Sequence, residues 1–322
     1  MYRSSRGLLA TLAFGALCGG ASGSDRPPDE TITGTSALSA ADDARDVVPT
    51  TPDRIGRILA QVMVNGQGPY RFMVDTGANH TALSASMLSR LGLSPDQGVL
   101  ITVIGIVGSQ TTASVHLDSV DAGLLHMRDV QIPVLAGPVL ADIDGILGSD
   151  GLTDKTVTAD FAHDRLTISR GVGGVPIADV VVPGHLISQR LLRIDCQIGG
   201  VSAKAVIDTG SPRSLANFAL LNALLRRSGE SASSAPTGVV DATEASQAAV
   251  IRPVPSLQFG TASVDNLYLT FGNFRIFKDW GLENQPAVLV GMDVLGTFAE
   301  ITIDYRRQEF GVYPKADMIS YR

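Results

Sequence analysis

Hydrophobic residues of this chain occur in short runs that are separated by glycine, proline and polar residues. Short apolar runs bounded by turn residues are typical of β-strands, whereas helices need longer periodic stretches. We expect few helices, at residues 82–91 and 218–227, with short helical turns after Gly148 and Gly291. The pattern therefore predicts a mainly β fold.

One arrangement of these runs occurs twice along the chain. Residues 58–66 and 191–200 each contain a strand-like run and a glycine turn. In both copies a second apolar run follows and leads into Asp-Thr-Gly, at residues 75–77 and 208–210. Because two strands joined by such a turn form a hairpin, we predict a hairpin that ends on an aspartate in each half.

The repetition continues after the two hairpins. Two apolar residues and a glycine stand at 146–148 and again at 289–291. A Thr-x-Asp-aromatic sequence stands at 158–161 and again at 302–305. The order of these features is the same in both halves while the loops between them differ in length, which indicates two copies of one structural unit.

Length and charge limit the classes of protein to consider. At 322 residues, 44% of them hydrophobic, the chain could form one core, but two lobes are the more common solution. The net charge of −7 argues against a nucleic-acid partner, because binding to phosphates needs a basic surface. No apolar run reaches 18 residues, so we expect no membrane-spanning helix.

The two Asp-Thr-Gly sequences are the strongest candidates for chemistry. A single copy occurs by chance in many chains, but two copies in matching surroundings suggest half of an active site in each half of the chain. Two adjacent carboxyl groups can share one proton, so that one is a base toward water and the other an acid toward a carbonyl oxygen. Asp75 and Asp208 are therefore the candidate catalytic residues.

The chain resembles the aspartic peptidase family, and its single-chain, bacterial retropepsin-like members more closely than pepsin. The resemblance rests on Asp-Thr-Gly-Ala at 75–78, on Asp-Thr-Gly-Ser at 208–211 and on the two apolar-apolar-glycine motifs. It covers residues 54–316. It implies a bilobal acid-protease fold, in which two homologous β-barrel-like lobes hold the active site between them.

The resemblance also implies roles for the residues beside the two aspartates. Thr76 and Thr209 are expected to hydrogen-bond across the two loops, although each could instead satisfy its own turn. Gly77 and Gly210 allow a tight turn where a Cβ atom would obstruct the backbone. The apolar-apolar-glycine motifs are expected to support the two loops from beneath.

The residue after each of these glycines differs between the halves. The Ser211 hydroxyl is expected to hydrogen-bond the outer oxygen of Asp208, which Ala78 cannot do for Asp75. Since a hydrogen bond to a carboxylate lowers its pKa, we expect Asp208 to be the ionised partner. The active pH range is expected to lie higher than that of a site with a hydroxyl on both sides.

Asp150 and Asp293 each lie two residues beyond a motif glycine. Aspartate is a preferred residue at the start of a helix, where its side chain accepts from free backbone amides. We therefore expect both residues to cap helix starts rather than to take part in catalysis.

Residues 100–115 are expected to form a hairpin whose glycine-rich tip consists of Gly105, Ile106, Val107 and Gly108. The resemblance implies that this hairpin is a flap that closes over substrate, and a mobile glycine-rich tip suits that role. An ordinary surface hairpin is the alternative. Because the equivalent stretch 237–250 is more polar, we expect one dominant flap, from the first lobe.

The first residues have the features of an export signal. Arg3 and Arg6 precede an apolar stretch and a group of small residues, so we predict a signal peptide over 1–23. The protein is then exported, and periplasmic or secreted. A disordered apolar start is the alternative, and Cys18 leaves a lipid anchor open.

Three further segments follow from composition. Residues 24–53 are rich in proline, serine and threonine and are predicted to be a flexible linker or pro-segment. The two lobes are predicted at 54–171 and 178–316, joined by a short glycine-rich linker at 172–177.

These features predict an aspartic-type endopeptidase that acts on peptide or protein substrates. A non-catalytic peptide-binding protein on the same scaffold is the alternative, and a purely structural duplicated β-barrel is a third possibility. Motifs for metal or phosphate binding are missing, so we expect neither a metal nor a cofactor. Because both half-sites lie in one chain, a monomer is expected.

Overall fold

The computed structural model describes residues 8–11, 15–16, 45–52, 57–96, 99–137, 140, 142–170, 178–188, 190–229, 235–241 and 243–315. The strands in this part of the chain are β1 Leu8–Thr11, β2 Gly15–Ala16, β3 Arg45–Pro52, β4 Ile58–Val64, β5 Gln67–Val74, β6 Ala82–Ser84, β7 Leu100–Ile104, β8 Ser109–Ala122, β9 Leu125–Leu135, β10 Gly145–Leu147, β11 Thr156–Asp160, β12 Arg165–Ser169, β13 Val180–Ile187, β14 Leu191–Ile198, β15 Val201–Ile207, β16 Leu215–Ala216, β17 Ala235–Asp241, β18 Ser246–Phe259, β19 Ala262–Phe271, β20 Ala287–Val290, β21 Glu300–Asp304 and β22 Glu309–Tyr313. The helices are α1 Ser86–Leu91, α2 Phe218–Ser228, α3 Arg275–Asp279 and α4 Met292–Leu295, with a 3₁₀ turn at Ser149–Gly151. The prediction of a mainly β fold is confirmed.

Each half places its Asp-Thr-Gly sequence at the end of a hairpin strand. In the first half β4 pairs antiparallel with β5, and β10 runs parallel beside β5 with Leu147 opposite Val74. In the second half β14, β15 and β20 repeat this arrangement, with Val290 opposite Ile207. The duplication that the sequence predicts is therefore present in the topology.

The strands that carry and support the two loops are apolar on both faces. Phe72, Met73 and Val74 at the end of β5 are at most 2% exposed. Strands β10 and β20 are buried throughout. Strands covered on both faces read as continuous apolar runs instead of alternating ones. Each aspartate loop thus begins on a rigid, fully packed base.

A six-stranded antiparallel sheet joins the two halves. Its order is β3–β12–β11–β21–β22–β13, with three strands from each half. The halves meet where β11 pairs with β21, and Thr158 lies opposite Thr302 at the middle of that pairing. These threonines are equivalent in the two repeats, so the approximate two-fold relation passes through this point of the sheet.

Strand β3 corrects the linker prediction for residues 45–52. Its first residues pair with β12 and its last three with β4. The prolines at 49 and 52 suggested a linker, but the β-branched pairs at 47–48 and 50–51 favour a strand. Each part of β3 pairs with one neighbour, and proline is tolerated at such positions because its missing N–H can face away from the ladder.

Two hairpins lie in equivalent positions of the halves. Strands β7 and β8 form the hairpin predicted for residues 100–115. Strands β17 and β18 form a second one, so the expectation of a single dominant flap hairpin was wrong. The polarity of the second stretch reflects its exposure, because buried and exposed residues interchange along β18.

Two smaller features concern the surface and the core. In the part of the chain that the structure describes, no helix has the length and hydrophobicity needed to cross a membrane.

Cys196 on β14 is buried with a free thiol, and burial raises its pKa to about 12. A thiol with so high a pKa is a packing group rather than a reactive one.

Phe310 on β22 offers a test of the core beside the six-stranded sheet. Its ring is fully buried and lies edge-on to Phe259, with 5.5 Å between the ring centroids. Phe310→Ala should lower the free energy of unfolding by about 3–5 kcal/mol, because it removes a large buried side chain and leaves a cavity. Guanidinium chloride unfolding measures this change.

Phe218→Ala is the matched control, because the Phe218 ring is 41% exposed. Its expected cost is below about 1 kcal/mol, as for most surface substitutions. Equal losses for the two variants would contradict the position of Phe310 in the core.

Candidate active site

Asp75 and Asp208 occupy equivalent positions at the ends of β5 and β15. The Asp75 amide donates to the Leu147 carbonyl on β10, at 3.0 Å. The Asp208 amide donates to the Val290 carbonyl on β20, also at 3.0 Å. Both aspartates are fully buried. The parallel supporting strand thus fixes the start of each loop in the same way.

The two carboxyl groups face each other across the halves. A Cβ atom added at Gly77 would overlap the Asp208 carboxyl group, and one added at Gly210 would overlap that of Asp75. Glycine is required at both positions because of this close approach. The glycine amides also donate to Oδ1 of their own aspartates, at 2.9 Å from Gly77 and 2.8 Å from Gly210.

The second oxygen of each carboxyl group is available for an interaction between the two carboxyl groups. Oδ2 of Asp75 and Oδ2 of Asp208 are buried, and neither has a donor among the described residues. Buried polar atoms without partners are uncommon in proteins and call for an explanation. A proton shared between the two carboxyl groups supplies one here, because a protonated carboxyl group can donate to its ionised neighbour.

Thr76 and Thr209 exchange hydrogen bonds across the two loops. The Thr76 amide donates to Thr209 Oγ1 at 3.2 Å, and the Thr209 amide donates to Thr76 Oγ1 at 3.1 Å. The hydroxyl groups donate in turn to strand carbonyls of the opposite half, those of Ile207 at 3.0 Å and Val74 at 2.7 Å. These contacts are the cross-loop arrangement that the resemblance implied, and not local turn bonds.

Asp150 and Asp293 have a different role from the expected helix caps. Asp150 accepts from the amide and the hydroxyl of Thr81, at 2.9 and 2.7 Å. Asp293 accepts from the amide and the hydroxyl of Ser214, at 3.1 and 2.7 Å. No side-chain cap bond is present at either short helix. Both carboxylates therefore anchor the chain just after an Asp-Thr-Gly loop.

Thr81 and Ser214 link these anchors to the supporting strands. The Gly148 amide donates to Thr81 Oγ1 at 3.2 Å, and the Gly291 amide donates to Ser214 Oγ at 3.0 Å. Each aspartate loop is thus held from below at both ends. The paired motifs at 146–148 and 289–291 supply this support in both halves.

The Ser211 hydroxyl does not contact Asp208 as the sequence suggested. It donates to the Arg213 carbonyl at 2.7 Å, within its own turn. The Ser211 amide, rather than the hydroxyl, donates to Asp208 Oδ1 at 3.1 Å. A turn carbonyl two residues away is a nearby competing acceptor, which explains why the hydroxyl is not available to the carboxylate.

Burial raises the pKa of both carboxyl groups, and it does so unequally. The pKa of Asp75 rises to about 7, because burial outweighs the opposing effects of the Asp208 side chain, the Gly77 and Ala78 amides and Arg57. The pKa of Asp208 rises further, because burial is reinforced by repulsion from Asp75. The expectation that Asp208 is the ionised partner was therefore wrong, and the pair favours ionised Asp75 beside protonated Asp208.

Two buried polar side chains near the dyad were not identified from the sequence. Arg57 is 5% exposed, and its charge lowers the pKa of Asp75. Tyr305 is 2% exposed, and its phenol pKa is raised first by burial and then by the charges of Asp75 and Asp208. Tyr305 is the aromatic residue of the repeated Thr-x-Asp-aromatic sequence. That repetition was the one feature of the sequence that could have pointed to Tyr305. Both side chains place polar chemistry beside the carboxyl pair.

Three residues of the predicted flap tip contact Asp241 of the second hairpin, and the fourth, Ile106, contacts helix α3. Asp241 Oδ2 accepts from the amides of Val107 and Gly108, at 2.7 and 3.1 Å. Gly105 lies against the same carboxylate, where a Cβ atom would overlap it. The Ile106 carbonyl accepts from the Ile276 amide at 3.1 Å, and Ile106 is fully buried.

Asp241 is held firmly at this contact. Its other oxygen, Oδ1, accepts from the amide and the hydroxyl of Thr243, at 2.9 and 2.6 Å. The residue is fully buried, and among the described residues it accepts four hydrogen bonds, from Val107, Gly108 and Thr243. Sequence reasoning missed Asp241 because it lies in a polar stretch without a motif.

Comparison with known proteins agrees with this geometry. Residues 60–150 match the model of the aspartyl protease family, a range that includes Asp75 and ends before Asp208. The chain is similar in structure to an aspartic proteinase from Irpex lacteus, with a TM-score of 0.55 and 15% sequence identity, covering 86% of this chain and 99% of that chain. The comparison with curated proteins gave no match. At this identity the structural match shows the fold. The first half of the chain is thus similar to the aspartyl protease family model, and the fold of the chain is similar to that of an aspartic proteinase.

Proposed function

We propose that the chain is an aspartic-type endopeptidase, in which Asp75 and Asp208 activate a water molecule to hydrolyse peptide bonds. One observation carries the proposal: two buried carboxyl groups face each other, each with one oxygen that has no donor among the described residues. Such a pair can hold one proton between two bases, as hydrolysis without a metal or a covalent nucleophile requires.

The unequal environments of the two carboxyl groups suggest their roles. Asp75 is the easier to ionise, so it acts as the general base and takes a proton from water as the water oxygen attacks the carbonyl carbon. Asp208 holds its proton and gives it to the carbonyl oxygen. When the resulting diol collapses, Asp208 takes a proton back from a diol hydroxyl as the carbonyl re-forms and the C–N bond breaks. The proton on Asp75 passes to the leaving nitrogen, and the pair returns to its starting state. The pair titrates as a unit, so these roles describe its dominant form.

The supporting contacts suit this reaction. The amides of Gly77 and Gly210 donate to Oδ1 of Asp75 and Asp208 respectively, which fixes the plane of each carboxyl group. The threonine pair keeps the two loops at a constant separation. A catalytic pair must be held closely in its productive geometry, and rigid supporting groups provide this.

Asn variants of the two aspartates test the proposal directly. Asp75→Asn and Asp208→Asn should each reduce hydrolysis of a diverse peptide library by about 10³-fold or more, since each removes a proton-transfer group. The measurement is peptide cleavage by mass spectrometry. Asp118→Asn, at an 85% exposed side chain, is the matched control and should keep full activity.

Two results would count against the proposal. Full activity in either dyad variant would show that the cleavage comes from another site. A folded wild-type chain that binds peptides but cleaves none would favour the alternative, a non-catalytic peptide-binding protein on the same scaffold.

The pH dependence of activity tests the assignment of Asp75 as the base. Ionised Asp75 is required, and it is lost as the pH falls through its pKa of about 7. We therefore expect kcat/KM to rise with pH through an acidic limb near neutrality. A sharp optimum near about pH 2, far below the usual carboxyl pKa, would contradict the assignment.

Stability should change with pH in the opposite direction. Both carboxyl groups have a higher pKa in the folded protein than in the unfolded chain, so their contribution is present in full below about pH 4. It is lost as the pH rises through the folded pKa of Asp75. The variant with both aspartates changed to asparagine should lack this decrease in urea unfolding experiments.

The contact at the flap tip gives a test of closure over the site. Asp241→Ala leaves the amides of Val107 and Gly108 without their acceptor, at a cost of about 1.5–3 kcal/mol for bonds to a charged group. Hydrogen exchange at residues 105–108 should then become roughly ten to a hundred times faster. Asp195→Ala, at a 75% exposed side chain, is the control and should leave the tip unchanged. Equal exchange in wild type and Asp241→Ala would contradict the role of Asp241.

A further inference from the structure

A cavity lies in the second half of the chain, between helix α2 and strands β18 and β19. Its volume is about 660 Å³, within the range of pockets that bind small molecules, about 300–1,000 Å³. Helix α2 supplies Leu221, Leu224 and Leu225, and the strands supply Val254 and Phe271. The described residues that line it include none from the two Asp-Thr-Gly loops or from the flap tip. It is therefore a different site from the one that holds the carboxyl pair.

Strand β18 has an incomplete pairing beside this cavity. Its pairing with β17 ends at Ile251, and its pairing with β14 begins at Leu257. Within the described part of the chain, residues 252–256 have no strand partner other than β19. Pro253 and Pro255 lie in this stretch, and proline has no N–H to donate to an added strand. The open edge is thus unsuited to a peptide strand and suits a small molecule better.

Two arginines line the cavity, Arg227 on α2 and Arg252 on β18. Arg252 is only 8% exposed, so its charge lies inside the protein. The Arg227 guanidinium lies against the β14–β15 turn, where a Cβ atom added at Gly200 would come within 2.9 Å of its Nε. Aspartate and glutamate are missing from the described lining residues. The cavity therefore combines apolar walls with positive charge, on a chain whose net charge is −7.

The hairpin tips align this region with its counterpart in the first half. The Gly105 amide donates to the Gly108 carbonyl at the first tip, and the Asp241 amide donates to the Ala245 carbonyl at the second. Gly105 therefore corresponds to Asp241, and Gly108 corresponds to Ala245. Strands β8 and β18, which begin at these tips, are equivalent strands of the repeat.

A second pair of contacts fixes the register of these two strands. The Asn65 amide donates to the Ser119 carbonyl on β8, and the Gly199 amide donates to the Ser256 carbonyl on β18. Ser119 therefore corresponds to Ser256. The same number of positions separates each serine from its hairpin tip, so the alignment holds along the whole stretch between them.

The first half has different residues at the positions beside the cavity. His116 and Asp118 correspond to Pro253 and Pro255. The His116 side chain is 45% exposed and the Asp118 side chain 85% exposed. One half thus has solvated polar residues where the other has prolines. Because the repeat folds with either set, the apolar lining of the cavity is not a requirement of the fold, and it indicates a local function.

Helix α2 also extends beyond its counterpart α1. Counted from the equivalent anchors Thr81 and Ser214, Gly92 corresponds to Leu225. Helix α1 ends before Gly92, whereas α2 continues for another turn. That turn supplies Leu225 and Arg227 to the cavity. The cavity thus depends on a part of the helix that the first repeat lacks.

The lining indicates the chemistry of a ligand. A guanidinium group carries five N–H donors and binds a carboxylate or a phosphate through two parallel hydrogen bonds. With five donors it can bind a ligand beside a protein group that it already contacts. The leucine side chains of α2 favour an aliphatic group, because its burial removes apolar surface from water.

We propose that this cavity binds a single-chain amphiphile with an anionic head group, such as a fatty acid. Arg227 and Arg252 hold the head group, and the aliphatic chain lies among the leucines of α2. The ring of Tyr268, which is 64% exposed and lines the cavity, is covered by the bound chain. The inference does not depend on the proposed function, because binding at this site needs neither catalytic aspartate.

Calorimetric titration of the full-length chain with dodecanoate and with dodecyl phosphate, both below their micellar concentrations, tests the proposal. At least one of the two should bind saturably at one site per chain. Arg227→Met should weaken that binding roughly ten- to a hundredfold, because it removes a charge-assisted pair. Arg226→Met is the matched control: it removes the same charge from the next residue of α2, which is exposed and outside the lining, and should leave the affinity unchanged.

Two further comparisons test the two parts of the ligand. Dodecanol has the same chain as dodecanoate without the charge, and it should bind at least about tenfold more weakly. Arg252→Met should weaken binding of the anionic probes as Arg227→Met does. If the buried Arg252 proves necessary for folding, Leu225→Asp tests the same cavity from its half-buried position on α2, and its carboxylate should abolish binding.

Three results would overturn the inference. These are a folded wild type that binds neither anionic probe, equal affinities in the wild type and Arg227→Met, and equal affinities for dodecanol and dodecanoate. The Asp75→Asn and Asp208→Asn variants should bind the probes as the wild type does. Loss of peptide cleavage with binding intact, or the reverse, therefore shows which of the two proposals fails.

Discussion

The reciprocal hydrogen bonds between Thr76 and Thr209 are the contact on which the rest of the site depends. Each threonine accepts the amide of the other and donates to a strand carbonyl of the opposite half. Neither loop can therefore shift alone. The groups that take part in this threonine exchange are neutral. The charge on the carboxyl groups can change during a reaction cycle without altering the bonds that keep them in place.

Burial is the second constraint, and it gives the two aspartates different properties. Loss of water raises the pKa of both, and the charge of Arg57 offsets part of that rise at Asp75. The second half has Tyr305 beside the pair, a phenol that burial keeps neutral. A pair that is symmetric in its backbone is thus asymmetric in its electrostatics, and this asymmetry, rather than the Ser211 hydroxyl, distinguishes the two carboxyl groups.

Repetition made the fold and the pairing of Asp75 with Asp208 predictable, because both follow from short patterns that occur twice. The choice of hydrogen-bond partner was not predictable, because it depends on residues far apart in sequence. Asp150 reaches Thr81 across 69 positions, and Asp241 reaches Val107 across 134. The prediction for the Ser211 hydroxyl was wrong for the opposite reason, because a carbonyl in its own turn competes for that hydroxyl. The linker prediction for residues 45–52 was wrong because it rested on their prolines, and prolines occur both in linkers and in strands of this kind.

The contact between Gly105 and Asp241 shows what a fused chain permits. In an assembly of two identical subunits, each residue appears at both equivalent positions. Aspartate at both would place two carboxylates against each other, and glycine at both would leave the amides of Val107 and Gly108 without their acceptor. Here one copy has glycine and the other aspartate. Joining two copies in one polypeptide therefore gives evolution access to complementary pairs of side chains that a symmetric homodimer cannot encode.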